Sequence, residues 1–275
     1  MAELPNRDQL EAEFARRFGR VARRHMYEFR AWLGHPPDIG NVPQSFWDRM
    51  EEESRDHTYA ILLMIFGAAA WYHGWRNKES RLAAAGWALL QAQAFATQWT
   101  ESTRERLENG LMRIRERIAQ EEERQSAREA RRIARLNDGA TEETQIPIAR
   151  VDDDRVRTPR VPVSPPGTPL PPAELLRQAV DRLLDQTFGA ERIEANAIDE
   201  VTRGQHAGSE AAVEVVQGLG EHDKWRTQRD TRVCPTCSPN DGVNREDWPS
   251  RYAEGPPCHP RCRCWIEYES EQQQP

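Results

Sequence analysis

The sequence predicts a predominantly helical α+β protein: a helical N-terminal region followed by a small C-terminal α+β domain that carries a structural zinc knuckle. Three features point there. Apolar residues recur at helical spacing through most of the first 135 positions, a proline-rich stretch then breaks the pattern, and all five cysteines fall within the last 42 of 275 residues.

The first helix is expected from Asp8, a suitable cap, to Leu33, with Leu10, Phe14, Phe18, Val21 and Met26 on its apolar face. Gly34-His-Pro-Pro37 ends it. A second helix should run from Ser45 to about Trp75 and contains Tyr59 to Tyr72, an unbroken apolar run of 14 residues. That is short of the roughly 20 residues a spanning helix needs, so the run is read as a buried central helix and no membrane span is expected. In the third helix Leu107, Leu111, Ile114 and Ile118 follow at steps of four, three and four. The stripe is extended backward through Phe95, Leu90, Gly86 and Leu82. Trp71, Trp75, Trp87 and Trp99 are assigned to the core. Past Ile118 the stripe thins, and Gln120 to Arg132 reads as a solvated mixed-charge helix.

Between Asn137 and Pro172 lie eight of the nineteen prolines and the run Asp152-Asp-Asp154. Such a segment cannot bury enough apolar surface to offset its ordering entropy, so it is read as an extended arm or linker. The expected division is a helical region over 1–136, a Pro-rich arm over 137–173, and a C-terminal domain over 174–275 with the metal site. A helix should follow Pro172, with Leu175, Leu176, Val180, Leu183, Leu184 and Phe188 on one face and Gly189 as its stop. Another is expected from about Ala190 to Arg203, ahead of Gly204 and Gly208. Glu210 to Gly220 fits strand and helix alike. Trp225 to Asp230 and Cys264 to Tyr268 are read as short strands.

The cysteines give the most specific pattern. Cys234-Pro-Thr-Cys237 is followed, after twenty residues, by Cys258-His259-Pro-Arg-Cys262-Arg-Cys264. Two cysteines separated by two residues can grip one ion from a single turn, and a second cluster can complete a tetrahedral zinc site. The preferred ligands are Cys234, Cys237, His259 and Cys262, with Cys264 as substitute for the last, and Cys258 is read as a spectator. Four protein ligands leave no position for water or substrate, so the zinc is expected to be structural. An odd cysteine count and no secretory signal at the N-terminus weigh against disulfides and suit a reducing cytoplasm. The net charge of −7 argues against a protein that simply coats nucleic acid.

Lys224-Trp-Arg-Thr-Gln-Arg-Asp-Thr-Arg-Val-Cys-Pro-Thr-Cys237 together with Gly255-Pro-Pro-Cys-His-Pro-Arg-Cys-Arg-Cys264 resembles the C-terminal signature of the phage head morphogenesis family. Its members are minor head proteins of tailed phages, similar to phage Mu protein F. The tight resemblance covers about Glu191 to Ile266, with a looser one between Leu82 and Ile118. Two departures stand out. Ile193-Glu-Ala-Asn-Ala-Ile-Asp-Glu200 takes the place of the family's Ile-Ala-Arg-Thr-Glu helix, which leaves Arg192, Asn196, Glu200 and Arg203 without assigned roles, and Cys258 stands where an apolar residue is commoner. The resemblance implies a structural, non-enzymatic virion protein present in few copies near the portal vertex. Its implied partners are the portal and major capsid proteins and the packaged DNA, it resides in the host cytoplasm during assembly, and it acts in head assembly, packaging or ejection. Zinc would then stiffen a small docking module presenting Trp225, Trp248, Tyr252 and Trp265.

The sequence also has features of two other functions. Arg226, Arg229, Arg232, Arg245, Arg251, Arg261 and Arg263 surround the ligands and, interleaved with Trp and Tyr, suit nucleic-acid binding, although nearby Asp223, Asp230, Asp241, Glu246 and Asp247 can neutralise them. Glu267-x-Glu269 resembles the paired glutamates of ADP-ribosyltransferases. That spacing is common by chance, and no partner Arg with a Ser-x-Ser pattern precedes it.

Overall fold

A computed structural model describes residues 6–139, 172–216, 218, 223–227, 235–253, 255–259 and 261–268. Of the described residues 80% are helical, with a small strand-bearing C-terminal region, the predominantly helical α+β class expected. Among the described residues five helices, α1 (Arg7–Leu33), α2 (Gln44–Tyr72), α3 (Lys78–Gly139), α4 (Pro172–Phe188) and α5 (Ala190–Val216), precede two strands, β1 (Lys224–Arg226) and β2 (Trp265–Glu267).

Helix ends follow local chemistry. The apolar run of α2 stops three residues before the expected Trp75, because Gly74 takes φ 89° and the backbone closes a Schellman turn. Trp75 N–H donates to Ala70 O at 3.0 Å and Gly74 N–H to Trp71 O at 3.1 Å. α3 starts where the Asn77 side chain accepts from Ser80 N–H at 2.9 Å, a cap for one of the orphan amides of the first turn.

The chain divides into two compact units, residues 1–108 with 183–275 and residues 109–182. Residues 1–108 of the expected helical region and 183–275 of the expected C-terminal domain thus belong to the first unit, and 109–136 and 174–182 to the second. Of the expected arm over 137–173, residues 140–171 lie outside the described residues. The second unit holds the latter part of α3, where the sequence expected a thinning stripe: Leu111 is buried, Ile114 and Ile118 are half-buried, and positions 123–135 are almost all exposed.

In the first unit α1, α2 and α5 pack together around an aromatic core. Phe18 meets Phe95 and Trp99 edge-on at centroid distances of 5.1 and 5.0 Å, and Phe29 lies 6.4 Å from Phe188 at the end of α4. The apolar run of α2 is core on one face, with Ile61, Leu62, Ile65, Phe66, Ala69 and Ala70 buried. Among the described residues no helix is long and apolar enough to cross a membrane.

Two expectations, one about the core face of α3 and one about Trp71, are corrected. Leu82 and Leu90 are 63% and 75% exposed, whereas Ala84, Ala88, Ala92 and Ala96 are buried beside Phe95 and Trp99. Small side chains let helices approach closely, so the alanine face turns inward and the leucines turn out. Trp71 is 49% exposed, for it sits in the last turn of α2 away from the buried Trp75.

α5 does not break at Gly204 or Gly208, and it settles 210–216 as helix. A Cβ on Gly204 would lie 2.8 Å from Ile65 Cγ2, and one on Gly208 would lie 2.4 Å from the Phe66 carbonyl oxygen. The glycines are there for close contact with α2 rather than for a turn. This contact fixes α5, and α5 positions the C-terminal cluster.

Candidate metal centre

β1 and β2 pair antiparallel, with Trp225 opposite Ile266. On the other edge of β1, Trp225 N–H donates to Val243 O at 2.9 Å and Gly242 N–H to Trp225 O at 2.7 Å. Residues 242–244 thereby add a third, irregular rung. Trp225, Trp248, Ile266 and Tyr268 are buried with Cys237, Cys262, Cys264 and Val213 of α5 in one core. Trp225 and Trp248 meet edge-on at 5.6 Å. The tryptophans expected to be presented for docking therefore serve this core instead: Trp225 is fully buried and Trp248 is 7% exposed. Gly255, at φ 85°, passes so close that a Cβ would sit 2.9 Å from the Trp248 ring, which explains a glycine there.

Two turns carry the ligating side chains. Cys237 leads into a short 3-10 turn, Ser238–Asn240, where Asn240 N–H donates to Cys237 O at 2.9 Å. The second turn is closed by Cys262 N–H donating to His259 O at 3.1 Å. Together they bring Cys237, Cys258, His259 and Cys262 within 4.8 Å of one another. Cys237 Sγ lies 3.3 Å from Cys258 Sγ, 3.9 Å from Cys262 Sγ and 2.9 Å from His259 Nε2. In tetrahedral zinc, bonds of about 2.3 Å to sulfur and 2.0 Å to nitrogen put ligand atoms roughly 3.5–3.8 Å apart. Two of the three separations are shorter than that and one is slightly longer; the four side chains form a group that could hold a metal ion.

Of the ligands expected from sequence, Cys237, His259 and Cys262 come together. Cys234 lies outside the described residues. Cys264 is buried and within reach of the Cys237 and Cys262 sulfurs, yet it is not one of the group of four. Cys258, read as a spectator, belongs to that group.

Crowded sulfurs cannot all ionise alone. Hydrogen bonding from Cys237 holds the Cys262 thiol far below its usual range, while the contact with Cys258, followed by that with Cys262, pushes Cys237 far above. One thiolate is favoured, and a second needs a cation beside it. Asp199 of α5 stands next to this turn, accepting from Arg261 N–H. Burial raises its carboxyl above the ordinary range against the opposing pull of that bond.

The second turn is clamped from outside by groups that no local pattern marks. Arg7, at the start of α1 and 3% exposed, donates to Arg263 O at 3.1 Å and to Cys262 O at 3.4 Å, and it also contacts Thr202 Oγ1. Thr202 Oγ1 itself donates to Cys262 O at 2.7 Å. Arg263 reaches back to Asp8 at 2.5 Å and to Glu11 at 3.6 Å. The Cys262 turn is thus held by α1 and α5 at once.

Most of the described arginines near the cluster are neutralised locally. Arg226 pairs with Glu267, Arg245 with Glu210 at 3.2 Å and Asp223 at 3.4 Å, and Arg261 with Glu191 at 3.4 Å. Arg251 lies 4.8 Å over the Tyr252 ring. Arg229, Arg232 and Glu269 are outside the described residues. Comparison with known protein families, curated proteins and solved structures returns no match for this chain.

Proposed function

We propose that the chain is a structural minor head protein of a tailed bacteriophage, held near the portal vertex and acting in head assembly, DNA packaging or ejection. A zinc ion on Cys237, Cys258, His259 and Cys262 would tie its C-terminal loops into one rigid piece. The observation that supports the reading is that Cys237, His259 and Cys262 of the signature lie together with Cys258 as a group of four donors. Three thiolates and an imidazole suit zinc over magnesium or calcium, which take oxygen ligands. A full set of protein donors leaves no open position, which supports a structural role and a non-enzymatic chain. Apparent binding energies of ~10–16 kcal/mol can stabilise a two-stranded hairpin with irregular loops that would be marginal alone.

The portal and major capsid proteins are the proposed partners, with packaged DNA nearby. Nucleic-acid binding by the knuckle itself finds less support, because Arg226, Arg245, Arg261 and Arg263 each have carboxylate partners. The ADP-ribosyltransferase reading is weakened likewise, since Glu267 is engaged by Arg226. The test is to purify particles from the producing host, dissociate them stepwise and probe each fraction for this chain. Co-purification with the portal at low copy number is expected. Particles that lack the chain would contradict the proposal.

A further inference from the structure

Arg192, Asn196, Glu200 and Arg203 recur along α5 at steps of four, four and three, which places them on one face of the helix. That face is one wall of a cavity of about 530 Å³, whose opposite wall is α3 from Phe95 to Arg106 and whose end is closed by Pro257, Cys258 and His259. The volume is that of a site for a small organic ligand.

The charges on the walls do not cancel evenly. Glu200, 3% exposed, accepts from Arg203 at 3.0 Å and from Gln91 at 3.0 Å, so this acid and one arginine are already matched. Asp199 accepts the Arg261 N–H. Arg192 is held by neutral groups: it donates to Ser102 Oγ at 2.8 Å, Thr103 Oγ1 at 2.9 Å and Thr187 O at 2.8 Å. Its guanidinium lies 4.0 Å over the Trp99 ring. Arg106 makes no hydrogen bond or ion pair with any described residue, and neither does the side-chain amide of Asn196. Burial, and then the nearby charge of Arg106, pull Arg192 down to about 10. Two guanidinium groups therefore face one cavity, and no wall carboxylate is paired with either. An anion supplied from outside relieves that repulsion.

We infer that this cavity binds a small ligand carrying a phosphate group, with Arg106 and Arg192 contacting the phosphate oxygens and Asn196 fixing its orientation. Guanidinium forks match phosphate oxygens in pairs, and the cavity has room for more than the anion alone. The inference is independent of the proposed phage role.

The test is calorimetric titration of the full-length, zinc-loaded protein with inorganic phosphate and, separately, with adenosine monophosphate, in chloride buffer. At least one probe should bind with Kd below about 1 mM, and more weakly as salt is raised. Arg106 is exposed and holds nothing in the fold, so Arg106→Gln leaves the protein folded and should weaken binding about tenfold or more. Arg192→Lys, which keeps the charge and loses the fork, should also weaken it. Equal affinity for the two probes would mean that the phosphate alone is read. Tighter binding of the nucleotide would mean that the rest of the cavity holds the nucleoside. No heat from either probe at about 10 mM, or binding unchanged by Arg106→Gln, would overturn the assignment.

Discussion

Arg7 is a cation that is 3% exposed, 255 positions from the Cys262 carbonyl it helps to hold. Its ion pair with Glu11 at 2.9 Å and its bonds to Thr202 and two loop carbonyls satisfy it; truncation would leave those acceptors and a buried carboxylate short of a partner. Arg7→Ala should therefore cost about 2–4 kcal/mol in denaturant unfolding of the metal-loaded protein, and it should speed metal loss to a chelator. A change under about 0.5 kcal/mol would show that the clamp is ornamental. No periodicity or motif marks Arg7, because its partners are set by how α1 and α5 cross. His73 offers a second residue-scale test. Burial lowers it to about 4, where it packs edge-on against Tyr268 at 5.5 Å. A neutral histidine that charges only on unfolding costs nothing above pH 6.5. As pH falls from there toward 4 the unfolded state alone takes up the proton, so stability drops. Allowing for solvent screening at a half-buried ring, His73→Gln should remove about 1–2 kcal/mol of that acid sensitivity, measured as the difference between stabilities at pH 7 and pH 4.5. Identical pH profiles for the two proteins would count against it.

Among the elements, most helices could be read from spacing and caps, and α1, α2 and α4 fall within a few residues of the expected bounds. The failures share one cause. Gly204 and Gly208 read as breaks, and Leu82 and Leu90 read as core, because sequence periodicity records apolar character but not how closely two helices approach. On α5 the glycines lie against Ile65 and Phe66 of α2, and in the first half of α3 Ala84, Ala88, Ala92 and Ala96 are buried while Leu82 and Leu90 are not. Gly208→Ala consequently reverses the usual sign. An exposed helical glycine changed to alanine gains up to about 1 kcal/mol, whereas here the new methyl group meets the Phe66 carbonyl at 2.4 Å and should cost a net 1–3 kcal/mol or so. Gly86→Ala, with nothing within 4 Å of its Cβ, should show the ordinary gain of roughly 0.5–1 kcal/mol. Thermal unfolding of the pair decides it, and two stabilised variants would refute the close contact. At the cluster, the Cys237 and His259-Cys262 turns were legible from spacing alone. The inclusion of Cys258 was not, since adjacent residues in a turn can point to the same side or to opposite sides.

For the whole molecule, the C-terminal loops are not a separate knob on a helical body. Cys237, Cys262 and Cys264 share a core with Val213 of α5, and the start of α1 grips the Cys262 turn. Removing the ion should therefore loosen more than the hairpin. With a chelator, residues 223–268 should become protease-sensitive and unfolding should shift to lower temperature, and restoring zinc should reverse both. Cys237→Ser should behave like the chelated wild type and be insensitive to added zinc. The most direct measurement is the metal content of the full-length protein together with its zinc-edge X-ray absorption spectrum. The account predicts one zinc per chain, with three sulfurs at about 2.3 Å and one nitrogen at about 2.0 Å; no stoichiometric metal, or a shell containing oxygen or lacking the nitrogen, would contradict it.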